Sequence, residues 1–259
     1  MTSSSDPTED RGRRSTWTAY PLYAASVALG AGSLLVLVFF LYGGPFYFVE
    51  LELGTAATLA LDAALCLVFF LQHSGMVRAE FRRRLSRFVR EEFQASVYSI
   101  ASGVFLLALI GFWQQSEEGW VTVHATIRWI LRGSFFLALA GFVWGSRALG
   151  PFDGLGLRAI VRYVREKPMR QMPFAVRGPY RWVRHPLYFF ALVLFWSYPD
   201  LTADRLLFNV LWTAWVVVGA RLEERDLVAV FGEPYREYQR LVPMLVPYRL
   251  RPVDIPEQA

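Results

Sequence analysis

Two short runs hold the residue types from which a site for a small charged molecule is built. The first, RGPYRWVRHPLY, carries Tyr180, Arg181, Arg184, His185, Pro186 and Tyr188; the second, RLEERD, carries Arg221, Glu223, Glu224, Arg225 and Asp226. Arginine presents a fork of donors to a carboxylate, and glutamate accepts from an ammonium or a hydroxyl. Together the two runs suit a zwitterionic ligand. They suit equally a set of interfacial salt bridges, Glu224 with Arg221 at i−3 for example. Pro186 fits the first position of a helix, where its missing N–H costs nothing and the free N–H groups behind it can face an anion.

About 40 residues separate the runs, so their meeting depends on what lies between. Two apolar segments, 187–199 and 206–220, are joined by DLTADR, a link short enough to force an antiparallel hairpin. The start of its first arm and the end of its second then share one face. The first arm is short for a membrane span: Pro186 to Pro199 reaches roughly 21 Å, against a hydrocarbon core of about 30 Å. A stunted helix at a charged mouth leaves room for a ligand in the membrane face.

The rest of the chain predicts the scaffold. Of 259 residues, 54% are hydrophobic and 16% aromatic, which points to a membrane protein. Four longer apolar segments, about 20–42, 54–71, 93–113 and 130–149, precede the hairpin. The first reads as a retained span and not a cleaved signal peptide. With the N-terminus in the cytosol, the segments put 24 of the 27 Lys and Arg residues on the cytosolic side, leaving Arg128, Arg132 and Arg205. That asymmetry fixes an orientation with both termini cytosolic; in a bacterium the membrane would be the plasma or inner membrane. It also explains a pI near 9.5 without nucleic acid. In GLGLRAIVRYVREKP, Leu157, Ile160, Val161 and Val164 share one helical face opposite Arg158, Arg162 and Arg165. This is an amphipathic helix on the cytosolic interface. The expected fold is all-α: a polytopic bundle of five to six membrane segments ending in the short hairpin. It forms one domain over 16–250, with flexible tails at 1–15 and 251–259.

Several polar residues fall inside or at the ends of these segments. Asp62, Cys66 and His73 lie on one side of the second. Asp62 near mid-bilayer is costly by about 2.5–3.5 kcal/mol and must face protein, as a structural hydrogen bond or beside a buried pocket. His73, with Gln72, sits where that helix leaves the membrane. Gln94 and Tyr98, at i and i+4, begin the third segment at similar depth, so these residues read as the wall of a site. The single Cys66 reads as core packing, and one cysteine with three scattered histidines predicts no metal site.

The sequence also resembles a family. GPYRWVRHPLYFFALV, followed by RLEERDLVAVFGEPYREYQRLVPMLVP, is similar to the C-terminal signature of the integral-membrane methyltransferases, among them the isoprenylcysteine carboxyl methyltransferases. LQHSGMVR, ASVYSIASGVFLLALIGFWQ and GPFDGLGLRAIVRYVREKP narrow the resemblance to the bacterial methanethiol S-methyltransferases. It covers about residues 60–248, and residues 1–55 carry no matching motif. The resemblance implies S-adenosylmethionine as methyl donor, held by about 147–248. Arg184, His185 and Tyr188 would then contact the methionyl part or a nearby cradle of backbone groups, with Tyr180 and Pro186 also binding the donor. Glu223 and Glu224 would hold the ammonium or ribose hydroxyls, and Tyr235 and Tyr238 would close the pocket. The acceptor it implies is a small thiol, with Gln72, His73, Gln94 and Tyr98 beside it. His73 would be the base, with Arg78 or Arg184 as electrostatic partner. The alternatives are a prenylcysteine carboxylate or other lipid-like acceptor, and a non-enzymatic membrane protein such as a transporter. No protein partner is expected.

Overall fold

The computed structural model describes residues 17–116, 119–150, 153–167, 174–249 and 251–253. The expected tail at 1–15, and 254–259 of the other, lie outside the described residues. In chain order the helices are α1 (Trp17–Gly43), α2 (Thr55–Val77), α3 (Ala79–Leu85), α4 (Glu91–Phe112), α5 (Ala125–Ala148), α6 (Leu157–Val164), α7 (Pro186–Trp196), α8 (Ala203–Phe231) and α9 (Glu233–Leu241). A two-stranded antiparallel pairing, β1 (Gly119–Val121) with β2 (Leu201–Thr202), is the only sheet among the described residues. Five helices, α1, α2, α4, α5 and α8, are long and apolar enough to cross a membrane. The protein is therefore an all-α polytopic bundle.

The final hairpin has unequal arms. α7 stops after 11 residues, about 16 Å, and cannot cross; α8 runs for 29, about 43 Å. The apolar count had ended the second arm at 220. The structure carries it on to Phe231, because Arg221, Leu222, Glu223, Glu224 and Arg225 are good helix formers whatever their polarity. Gly232 stops it, at φ 64°, ψ −133°, a conformation costly for any residue with a side chain. Arg128 closes the hairpin's turn with a bidentate pair to Asp200 at 2.7 and 2.6 Å, and Trp196 Nε1 donates across the arms to Thr213 Oγ1 at 3.0 Å.

Packing divides the chain into two compact units. One holds residues up to Val38, Val68–Ile110 and Asp153–Gln171; the other holds Phe39–Leu67, Gly111–Phe152 and Met172–Ala259. In the first, Ser26–Ala31 forms a π-helical turn of α1. Its Leu29 carbonyl comes so near Gly103 of α4 that a Cβ there would stand 2.2 Å from the oxygen. Ser26 Oγ donates to the Leu155 carbonyl at 2.6 Å.

In the second unit, α5 meets α7 through Gly141 and Gly145, the small-xxx-small spacing that lets membrane helices approach closely. A Cβ on Gly141 would lie 2.3 Å from the Phe190 ring, and one on Gly145 2.8 Å from Leu187. Asp62 is fully buried; its Oδ1 accepts from the Gln114 backbone N–H at 3.0 Å, a structural bond. The three arginines expected on the far face are each matched. Arg128 pairs with Asp200, Arg132 lies 4.1 Å from the centre of the Tyr42 ring, and Arg205 lies 4.2 Å from that of Tyr198.

Gly103→Ala should destabilise the protein by about 2–3 kcal/mol, since a backbone oxygen cannot step aside. Gly111→Ala on the same helix meets nothing within 4 Å and should be neutral or slightly stabilising. Thermal unfolding in detergent distinguishes them.

Candidate functional site

The site is built where α7 begins and α8 ends, within the second unit. Arg184 lies just before α7, with its side chain only 10% exposed. Its Nε donates to Glu224 Oε1 at 2.5 Å, and its Nη1 to the carbonyls of Gln239 and Val242 at the end of α9. Glu224, itself 12% exposed, also accepts from the Gln239 amide at 3.0 Å and faces His185 Nε2 at 3.3 Å. Backbone bonds pin the same junction: the Arg184 and His185 N–H groups donate to the carbonyls of Pro243 and Met244. The C-terminal segment after α9 thus runs back along the start of α7. Glu224 is not paired with Arg221, the neighbour that helical spacing offers.

Glu223 has a different setting. Its side chain is 46% exposed, and one oxygen accepts from the Tyr188 hydroxyl at 2.7 Å. The Tyr188 ring stacks on His185, centroids 5.3 Å apart and planes 6° from parallel. Pro186 stands at the first position of α7 and is buried. Tyr235 and Tyr238, on the inner face of α9, are buried with Val242 against Phe174, Leu227 and Phe231. The Tyr238 hydroxyl donates to the Tyr180 carbonyl at 2.6 Å, which ties α9 to the turn before α7. Burial raises the phenols of Tyr180, Tyr235 and Tyr238 above the ordinary tyrosine range, with nearby negative charge adding to it. They stay neutral.

A second group of expected residues is assembled in the first unit. His73 Nε2 and the Tyr98 hydroxyl are 2.6 Å apart, and Phe69 packs on the imidazole at 5.3 Å. Gln72 Nε2 reaches Ser102 Oγ at 3.3 Å and Met76 Sδ at 3.0 Å, while its buried Oε1 has no hydrogen-bond partner among the described residues. Tyr98 and Gln94 line a cavity of about 700 Å³ with Met76, Ala95, Arg82 and Glu91. His73 is linked to that wall through the Tyr98 hydroxyl. Arg78 sits between α2 and α3 in the capping position of α3.

No family model matches the chain, and no solved structure matches it. Curated proteins do. Methanethiol S-methyltransferase of Mycobacterium tuberculosis is 37% identical over 189 residues, covering 70% of this chain and 75% of that protein. The protein of the same name from Pseudomonas sp. (strain GM41(2012)) is 35% identical over 194 residues, covering 73% of each. This chain belongs to the methanethiol S-methyltransferase family. A more distant relative is Nurim of Rattus norvegicus, 27% identical over 195 residues, covering 71% of this chain and 74% of Nurim.

In this member of the methanethiol S-methyltransferase family, the structure brings Arg184, His185, Tyr188, Glu223 and Glu224 together, with Tyr180, Tyr235 and Tyr238 beneath them. Sequence reasoning missed Gln239 and the carbonyl groups of Val242, Pro243 and Met244. Gln239 could have been found, being one helical turn from Tyr235 on α9; the carbonyls carry no residue-type signal. His124 caps α5 by accepting from the Thr126 N–H at 3.4 Å.

Glu224→Ala leaves a nearly buried guanidinium without its counter-charge and should cost about 3–5 kcal/mol, read as earlier melting and faster proteolysis of the C-terminal segment. The tyrosines give a pH signature. Their folded pKa values lie above the unfolded one, so their contribution is full below about pH 10 and is lost as pH rises further. The thermal midpoint should fall on the alkaline side of that pH, and less steeply in Tyr238→Phe.

Proposed function

We propose that this protein transfers a methyl group from S-adenosylmethionine to methanethiol, releasing dimethyl sulfide, with both termini on the cytosolic side of the membrane. The observation that carries this reading is the meeting of two oppositely charged clusters at the mouth of the final hairpin, in a chain whose relatives are named methanethiol S-methyltransferases. The residues present suit a donor that bears an ammonium, a carboxylate and ribose hydroxyls. Glu223 is held at one oxygen by Tyr188 and half open to solvent, so it has lone pairs to offer an ammonium or a hydroxyl. Glu224 is engaged on both oxygens. In this reading Glu223 touches the donor, and Glu224 is the internal brace.

Arg184 works with Glu224: its guanidinium fixes the C-terminal segment across the start of α7. Stacked His185 and Tyr188 form a flat wall, Pro186 sets the start of the helix, and Tyr180, Tyr235 and Tyr238 close the floor. When bound, S-adenosylmethionine supplies a methyl group already activated by positively charged sulfur. What remains for the protein is alignment and a deprotonated acceptor. An alkanethiol is mostly protonated at neutral pH, so a base is needed. His73 fills that role, taking the S–H proton, with Tyr98 hydrogen-bonded to its ring, Gln72 and Gln94 on the thiol side and Arg78 as the positive group. The deprotonated thiol sulfur would then be the acceptor for the methyl group that the donor supplies.

Purified protein given labelled donor and methanethiol should produce labelled dimethyl sulfide, and should ignore long-chain prenyl thioethers. Glu223→Gln should weaken donor binding about tenfold without lowering the thermal midpoint. His73→Ala should slow turnover on the order of a hundredfold while donor affinity holds. Wild-type turnover in that variant removes His73 from the chemistry; a protein that takes up no donor removes the whole reading.

A further inference from the structure

The first unit contains a second charged concavity that the methyl-transfer reading does not use. Arg158, Arg162 and Arg165 lie at i, i+4 and i+7, so all three side chains leave one side of α6. They line a cavity of about 390 Å³ together with Lys167 and Tyr23, over an apolar base of Leu157 and Val161. No acidic side chain among the described residues lines it. Arg158 and Arg165 have no carboxylate at ion-pair distance among the described residues. Cations gathered on one side of a helix repel one another, and an anion in the cavity relieves this.

The depth of the cavity indicates which anion. Tyr23 stands in the second turn of α1, after Trp17 and Tyr20, and these three rings are 38%, 75% and 64% exposed respectively. Exposed Trp and Tyr in the first turns of a membrane helix mark the headgroup layer. α6 buries Ala159 and Ile160 and turns its arginines outward, as an interfacial helix does. A basic cavity with an apolar base at that level matches an anionic lipid, phosphate on the arginines and acyl chains on Leu157 and Val161.

We propose that this cavity is a binding site for the phosphate headgroup of an anionic phospholipid, gripped by Arg158, Arg162, Arg165 and Lys167 with the Tyr23 hydroxyl, and that the bound lipid clips α6 to the start of α1. The site is independent of the donor cradle, and its test involves no methyl transfer. Full-length protein in mixed phosphatidylglycerol and phosphatidylcholine micelles is examined by native mass spectrometry. Wild type should retain phosphatidylglycerol over phosphatidylcholine by about tenfold, and Arg158→Gln/Arg165→Gln should reduce that preference to about twofold or less. Arg84→Gln/Arg87→Gln, which removes the same charge elsewhere on the basic face, should keep the wild-type preference. Where the first double variant does not fold, the single Arg165→Gln and Tyr23→Phe variants give the same readout at smaller amplitude. Equal loss in the Arg84/Arg87 variant means general surface attraction and overturns the proposal, as does an unchanged preference in the Arg158/Arg165 variant. Millimolar inorganic phosphate that displaces the lipid and raises the thermal midpoint as much as the lipid does would assign the cavity to free phosphate instead.

Discussion

The Arg184–Glu224 pair is the interaction on which the mouth of the final hairpin depends. Both side chains are almost withdrawn from solvent, a placement that costs several kcal/mol per ion unless every donor and acceptor is answered. Here the answers come from a distance in sequence. Glu224 belongs to the long arm of the hairpin, Arg184 to the foot of the short one, and the carbonyls of Gln239 and Val242 to the end of α9. Satisfying one guanidinium therefore fixes three segments at once. Because Glu224 is so fully engaged, its neighbour Glu223 is left oriented but open. Adjacent glutamates on one helix turn thus have different exposure and different partners.

Chain geometry then decides where this cradle sits. α7 is too short to cross the hydrocarbon, while α8 crosses and projects beyond its apolar stretch with the charged residues on it. Gly141 and Gly145 let α7 lie against α5 with almost no side chain between, so the short arm is held by close contact along its length and not by reach. At the opposite end Arg128 and Asp200 fasten the turn. A stunted helix is stable here because each of its ends has a dedicated partner.

Much of this was legible in the sequence, for reasons that can be named. Hydropathy and the distribution of arginines report on the solvent around each segment, so the spans emerged directly. The DLTADR link forced the two charged runs together, because a six-residue connection has few geometries. The end of α8 was misjudged because hydropathy measures where a helix leaves the membrane, not where it ends as a helix; Gly232 marks that. The carbonyl groups that complete Arg184 could not be read, since every residue owns one and only the return path of the chain selects which are used. The π-helical turn in α1 was equally silent: widening a helix turn has no residue signature until the Gly103 backbone is seen beside Leu29.

The contributions of Gln239, Val242, Pro243 and Met244 have a consequence for biosynthesis. These residues leave the ribosome after the groups they hold at the foot of α7. A nascent chain can have all five spans in the bilayer and still lack its cradle. The junction at the foot of α7 is thus completed only when the segment after α9 docks on it, well after the spans that precede it have been made.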